Sequence, residues 1–569
     1  MAPWLDPEEL RIGLGCMRLS TDPEPDESRA IDTIRAAVEA GVTVFDTARA
    51  YGDNERWLAS ALKAAGATAR ARVVTKGGMR RPEGRWMPDG RGIALRADCE
   101  ESLAALDGVP IDLYLLHAPD PRTSWSTSVR ALAGLVDQGL VRRVGLSNVN
   151  RKQLDEALEL APIAAVEVSL SIFDDEPLRG GVVARCEERG LAVIAHSPLG
   201  GVARAGTLSR DAVLSEEAAR LGATPQELAL AALLDAHPSI VAIPGARRPE
   251  TARSAARAAR LQLDETARAR LRPRLAAPSL APRTAPPASG AEVVLVMGLQ
   301  GSGKSDAAGA WVARGHERLN RDARGGTLKD LNKVLEAALA ERPRPFVLDN
   351  TYVTRAQRRD VIEVAHARGV PVRGIWLDIS MAQAQVNVVL RMLDAHGRLL
   401  SPDELKRGKG PTQLSPNSLF RTARELEPPS HDEGFDTLER IAFQRRPSSA
   451  GAPARLLAWD AVLDAEGRPT ADAQRALGPP GTRRLVFGWK PDADAAQLAR
   501  SVVALDPEAR FLHCPHPAGP PVCWCRPPLP GLPLLFAREA QVDLSCSTLV
   551  GTGAPHRNLA AALGCSYEE

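Results

Sequence analysis

The chain has 569 residues, with 72 lysines and arginines against 70 acidic residues, a formal charge of +2, and 44% hydrophobic residues. That length exceeds what one hydrophobic core sustains and predicts three or four domains. The near-balance of charge excludes a chain-wide basic footprint, so a nucleic-acid partner would be held by a local patch. No run approaches the ~18 apolar residues of a membrane span, so no membrane partner is expected. The opening MAPWLDPEEL is polar and acidic, unlike a signal peptide. Five of the eight cysteines fall after residue 500. A cytoplasmic, reducing setting is expected, in which clustered Cys and His bind metal more often than they form disulfides.

The N-terminal part alternates short apolar runs with amphipathic stretches. The runs are IGLGCM, VTVFDTA, RVVTKGG, DLYLLHAP, RRVGLSN, AAVEVSLS, LAVIAHSP and SIVAIPGA. Between them lie helical patterns such as SRAIDTIRAAVEAG and TSVRALAGLVDQG, each closing on a glycine. Eight such units predict an α/β fold of the (β/α)8 TIM-barrel type over residues 1–275. Residues 276–290, rich in Pro and Ala, read as a linker, and so do residues 448–454 within RRPSSAGAPA. They bound a P-loop α/β domain at 291–447 and a small α/β domain at 455–569.

Barrel chemistry sits at the C-terminal ends of strands. There the sequence places Asp46 and Tyr51 in FDTARAYG, Lys76 in VVTKGG and His117 in LYLLHAP. Such a set suits carbonyl reduction. Tyr protonates the developing alkoxide, Lys held by Asp lowers the Tyr pKa, and His orients the carbonyl. These residues resemble the aldo-keto reductase family over about residues 8–275. The resemblance implies a small carbonyl substrate and NADP(H), with Ser147 and Asn148 on the carboxamide and Arg247 or Arg248 on the 2′-phosphate. Glu167 joins the cofactor set where the family has Gln. Leu170 stands where an aromatic ring stacks on nicotinamide, and Ala255 where an Asn contacts adenine. Another reading makes the barrel a nucleotide-binding module without catalysis.

VVLVMGLQGSGKSDAAGAW carries G-x-x-x-x-G-K-S from Gly298 to Ser305 between an apolar strand and a helix. Backbone amides around Gly298, Gly301, Ser302 and Gly303 wrap ATP phosphates, Lys304 reaches the β- and γ-phosphates, and the Ser305 hydroxyl takes Mg2+. Asp322 in NRD is placed to accept a proton from an attacking hydroxyl, and Arg391 to neutralise the transferred phosphoryl. The segment resembles the 5′-kinase domain of polynucleotide kinase–phosphatases through the P-loop, NRD, FVLDNT with Asp349 on the ATP side, and ELEPPSHDEGFDTLERIAF. The resemblance implies a nucleic acid with a 5′-hydroxyl end, RNA or DNA, as partner. Gly325, with Arg324 beside it, interrupts the family's D-x-x-R. Arg324, Arg355, Arg358 and Arg359 read either as a basic groove or as a solvated helix face. A kinase acting on a small metabolite that the reductase also handles is the other reading.

The last part contains HCPHPAGPPVCWC. Residues 455–569 resemble haloacid-dehalogenase (HAD) phosphatases of the branch that carries a zinc loop. By that resemblance Cys514, His516, Cys523 and Cys525 are Zn2+ ligands, with His513 competing for the imidazole role. The phosphatase residues have gone. Ala458 replaces the nucleophilic Asp, leaving Asp460, Pro527 replaces the Lys, and Thr552 and His556 occupy the acidic positions. A methyl group cannot form an aspartyl phosphate, so this domain is expected to be a degenerate, inactive phosphatase with its metal staple kept.

Overall fold

The computed structural model describes residues 4–275, 290–408, 410–444, 451–491, 494–519 and 521–569. All but the last residue of the first expected linker, and residues 448–450 of the second, lie outside them. The chain divides into two compact units, Met1–Ser279 and Leu280–Glu569.

In the first unit eight strands pair in parallel in chain order: β1 (Gly13–Gly15), β2 (Val44–Asp46), β3 (Arg72–Gly77), β4 (Ile111–Leu116), β5 (Val144–Ser147), β6 (Ile163–Ser169), β7 (Ala192–His196) and β8 (Ile240–Ile243). Parallel bridges Ile12–Ala242 and Gly15–Gly245 bring β8 back to β1, so the sheet closes into a barrel. Each apolar run of the sequence holds one of these strands. The runs are nearly continuous because helices cover the outer face and packed side chains fill the interior. Leu113, Leu115, Val74 and Ile194 are among the residues that fill it. Helix Glu27–Glu39 ends two residues before Gly41, whose φ of 92° lets the chain turn back to β2.

The second unit holds two five-stranded parallel sheets. One has β9 (Val293–Met297) at its centre, flanked by β11 (Phe346–Asp349) and β10 (Glu317–Leu319) on one side and by β12 (Val372–Asp378) and β13 (Thr437–Ala442) on the other. In the other sheet, β14 (Ala454–Ala458) is flanked by β15 (Arg483–Trp489) and β16 (Arg510–Cys514) on one side. On its other side lie β17 (Thr548–Val550) and β18 (Ser566–Glu568). A single apolar core joins the two. Val386, Val389 and Met392 of helix Met381–His396 pack with Leu456, Trp524, Leu532 and Leu559.

Candidate active sites

The strand-end residues of the barrel meet at one cavity of about 450 Å3, lined by Asp46, Tyr51, Trp86, His117, Asn148, Glu167 and His196 among others. Lys76 lies beneath it, 1% exposed, bonded to Asp46, 3.3 Å from Glu167 Oε2, and donating to Thr47 O at 3.1 Å. A buried ammonium needs this company. Burial works against its charge, but Asp46 and Glu167 outweigh burial and raise its pKa. Asp46 is pushed up to about 8, first by burial and then by the Glu167 charge, with Lys76 opposing.

Tyr51 is buried, with Lys76 Nζ 5.8 Å from its ring centroid. Lys76 does pull its pKa down, as the sequence implies, but burial dominates and the phenol ends above its usual value. Tyr51 therefore stays protonated, a donor rather than a tyrosinate. His117 meets it edge-on, with centroids 5.7 Å apart. Burial, then Lys76 and His196, push His117 down to about 3, so its imidazole is neutral.

Asn148 sits at φ 58°, a left-handed turn that Asn tolerates. Its Nδ2 donates to His117 O at 3.1 Å and to Ser147 Oγ at 3.0 Å, and its Oδ1 faces His196 Nε2 at 3.0 Å. Ser147 is buried behind it and does not line the cavity. Arg247 reaches Asp22 at 2.6 Å, and Asp22 also holds Arg18, a cavity residue. Arg248 is exposed just before helix Pro249–Ala258.

Leu170 lies in the core outside the barrel, not at the cavity, so it is not the place for a stacking ring. Two rings that the sequence reading missed do line it. His196 ends β7, and the strand-end rule applied to LAVIAHSP identifies it. Trp86, 45% exposed, stands 6.1 Å from Tyr51 and 5.7 Å from His117. It comes from the hairpin between Met79–Arg80 and Met87–Pro88, where RRPEGRWMP carries no periodic signal.

Glu167→Gln is expected to flatten the fall of stability with pH. The raised Asp46 pKa means that the folded state binds more proton there than the unfolded chain does between pH ~4 and ~8, so stability drops as pH rises through that window. His117 and His196, depressed to about 3 and about 4, act oppositely but only below their unfolded value near pH 6.5. Between about pH 6.5 and 8 the Asp46 contribution, up to ~2 kcal/mol, stands free of theirs. Thermal denaturation across that range, wild type against variant, measures the difference.

In the second unit β9 runs into the glycine loop and then into helix Lys304–Val312. Gly301 has φ 85°, and a Cβ there would stand 2.8 Å from Ala384 O, so only glycine fits. Lys304 Nζ donates to Gly298 O at 2.9 Å and Leu299 O at 2.8 Å. Burial and then Arg391 push Lys304 down to about 8, while Asp349 and Asp322 oppose the shift. Arg391, Asp349 and Asp322 thus lie within electrostatic reach of Lys304. Ser302 Oγ is buried without a hydrogen-bond partner, and Ser305 is exposed in the first helical turn. Asp322 is exposed and pairs with Arg321 at 3.1 Å. The Asp349 carboxylate accepts from Arg318 and, at 3.1 Å, from Asn320 Nδ2.

Neither expectation for the arginine group holds for two of its members. Arg358 is 1% exposed and bidentate to Glu433 at 2.7 and 2.8 Å, and Arg355 is bound to Asp432 at 2.8 Å. They tie helix Arg355–His366 to the segment before β13, and form neither a groove nor a solvated face.

The ligand atoms of Cys514, His516, Cys523 and Cys525 lie within 4.8 Å of one another. Cys514 Sγ is 3.6 Å from Cys523 Sγ, and His516 Nδ1 is 3.5 Å from Cys514 Sγ and 3.2 Å from Cys525 Sγ. Those separations approximate the edges of a tetrahedron around a cation bound at 2.0–2.3 Å, and the donor set of three thiols and an imidazole suits Zn2+. His513 stacks on Phe511 and stays outside the group. Ala458 ends β14, and exposed Asp460 lies 3.6 Å from Lys490. Thr552 donates its backbone N–H to His556 at 3.1 Å.

The first unit is thus a parallel (β/α)8 barrel with a Tyr–His pair above a buried Lys–Asp pair. The Aldo/keto reductase family profile matches residues 11–273, and an AAA domain profile matches residues 293–399. An uncharacterized oxidoreductase of Schizosaccharomyces pombe is 30% identical over 270 residues, covering 46% of this chain and 85% of that protein. Through this segment the chain belongs to the aldo/keto reductase family. Among solved structures, a thermostable aldo-keto reductase in complex with epalrestat is 31% identical, covering 46% of this chain and 94% of its own, with a TM-score of 0.42. An aldo-keto reductase from Klebsiella pneumoniae in complex with NADPH is 26% identical, covering 46% and 90%, with a TM-score of 0.40.

Proposed function

We propose that the chain is a bifunctional enzyme, an NADP(H)-dependent carbonyl reductase joined to an ATP-dependent 5′-hydroxyl polynucleotide kinase, with an inactive HAD-type tail stapled by zinc. The observation that carries the reductase is the buried Lys76–Asp46–Glu167 cluster under a protonated Tyr51 and a neutral His117, all at one cavity. Asn148 and Glu167 offer hydrogen-bonding groups for a carboxamide at that cavity, and Arg247 or Arg248 would be the cation for a 2′-phosphate. NADP(H), when bound, supplies the hydride. The chain's own residues do the rest. Tyr51 gives its proton to the carbonyl oxygen, His117 orients that oxygen, and the Lys76 charge stabilises the phenolate left behind. Trp86 lines the cavity beside them. NADPH consumption with a generic aldehyde tests this reading.

For the kinase, the supporting observation is the glycine loop between strand and helix, where Lys304 Nζ donates to Gly298 O and Leu299 O, with Asp322, Asp349 and Arg391 in electrostatic reach of it. Lys304 and the loop amides would hold the phosphates and Ser305 the Mg2+. Asp322 would take the proton of the attacking hydroxyl as Arg391 covers the transferred phosphoryl. A second reading, a small-metabolite acceptor, gains from the burial of Arg355 and Arg358, which removes two cations from any nucleic-acid groove. Transfer of labelled γ-phosphate to RNA and DNA oligonucleotides with 5′-hydroxyl ends, beside a metabolite panel, separates the two.

In the tail, Cys514, His516, Cys523 and Cys525 would hold Zn2+ as a closed structural site with no position left for an activated water. Cys523→Ser is expected to drop bound zinc from about one per chain to well below it and to lower the melting temperature. Elemental analysis and calorimetry on the purified full chain measure both.

A further inference from the structure

Trp524 lies between two of the four clustered ligand residues, yet its ring does not serve the tail alone. It is 1% exposed, and its Nε1 donates to Leu414 O at 2.8 Å. Leu414 lies one residue before the N-cap Ser415 of helix Pro416–Glu425, which belongs to the P-loop part of the unit. In that helix Thr422 Oγ1 accepts from Gln300 Nε2 at 3.0 Å, and Gln300 is a residue of the glycine loop itself. Leu299, the residue before it, shares one apolar core with Trp524, Leu405 and Leu419. Helix Met381–His396, which carries Arg391, packs in the same core, and its Asn387 donates to Gly301 O at 2.7 Å. The start of helix Gly531–Glu539 closes tightly on the backbone of Trp524: Gly531 N donates to Trp524 O at 3.2 Å, and a Cβ on Gly531 would stand 2.3 Å from that oxygen.

A continuous line of packing and hydrogen bonds therefore runs from the Cys/His loop through Trp524, Leu414 and Thr422 to Gln300. Among the described residues the Gln300 side chain has no second partner, since its Oε1 is buried and unbonded. The shape of the loop between Gly298 and Gly303 thus leans on Thr422 at this point. We propose that the degenerate tail acts as a brace for the nucleotide site. Trp524 is a positioning residue that seats helix Pro416–Glu425 against Gln300 and so holds the glycine loop in its phosphate-wrapping form. The proposal rests on the reading of that loop as an ATP site. It gives the tail a task after the loss of its own chemistry.

The test uses the full chain with two substitutions at opposite ends of the line. Trp524→Phe keeps the apolar plug and removes the bond to Leu414. Thr422→Val keeps the shape of residue 422 and removes the bond to Gln300, far from any ligand residue, so it folds even if the first variant does not. Two readouts are taken: hydrogen exchange of residues 414–425 and 299–305, and the dissociation constant of a fluorescent ATP analogue. Faster exchange in both segments is expected for Trp524→Phe, faster exchange at 299–305 for Thr422→Val, and weaker analogue binding by about 3- to 10-fold in both. Wild-type exchange at 299–305 in both folded variants overturns the brace. Failure of the wild-type chain to bind the analogue would refute the ATP reading instead, and exchange at 299–305 would still decide the brace.

Discussion

Tyr51→Phe is expected to reduce carbonyl turnover by about 10²- to 10⁴-fold while leaving NADPH affinity close to wild type. The reasoning rests on protonation. Burial keeps the Tyr51 phenol neutral, so it is loaded with the proton that the alkoxide needs. His117 cannot substitute, because burial and Lys76 strip its proton until about pH 3. Lys76 is committed to Asp46 and Glu167 below the cavity. Phe preserves the ring and its edge contacts with Trp86 and His117. The loss should therefore appear in kcat rather than in cofactor binding. Equal turnover by wild type and variant would remove Tyr51 from the chemistry and leave the barrel as a nucleotide-binding module.

The second large effect is expected from Asp322→Asn, which should lower phosphoryl transfer by about 10²- to 10⁴-fold without weakening ATP binding. Asp322 is exposed, and among the described residues only its neighbour Arg321 pairs with it, so its carboxylate can receive a proton from an incoming hydroxyl. Asp349 is ill suited to that task, since Arg318 and Asn320 occupy its oxygens. Asn keeps the size and the hydrogen-bonding oxygen but cannot take the proton. Initial rates with labelled ATP and the best acceptor, beside the ATP dissociation constant, make the split visible. A variant as fast as wild type would move the base elsewhere.

What the sequence made legible follows from the range of the interactions involved. Each barrel strand is a local apolar run with its polar residue at the C-terminal end, so Asp46, Tyr51, Lys76 and His117 were readable one strand at a time. The Cys/His group is equally local: twelve residues carry all four ligands. The glycine loop lies between a strand and a helix that announce it. By contrast, the fate of Arg358 is set by Glu433, 75 positions away, and no local pattern separates a buried ion pair from a basic face. Trp86 comes from an irregular hairpin. The pairing of Arg247 with Asp22 spans 225 positions. The linker-like composition near residue 450 suggested two independent bodies, whereas the apolar faces on either side of it turn out to share one interior.

That shared interior has a consequence for how this half of the chain can be handled and how it can change. Leu299, Val388 and Leu419 belong to a core that is completed by Leu456, Trp524, Leu532 and Leu559 from beyond residue 451. A fragment stopping before that point would offer a greasy flank to water, a surface prone to self-association. The polypeptide beyond residue 451 is thus ballast that its neighbour cannot shed, whatever its own chemistry.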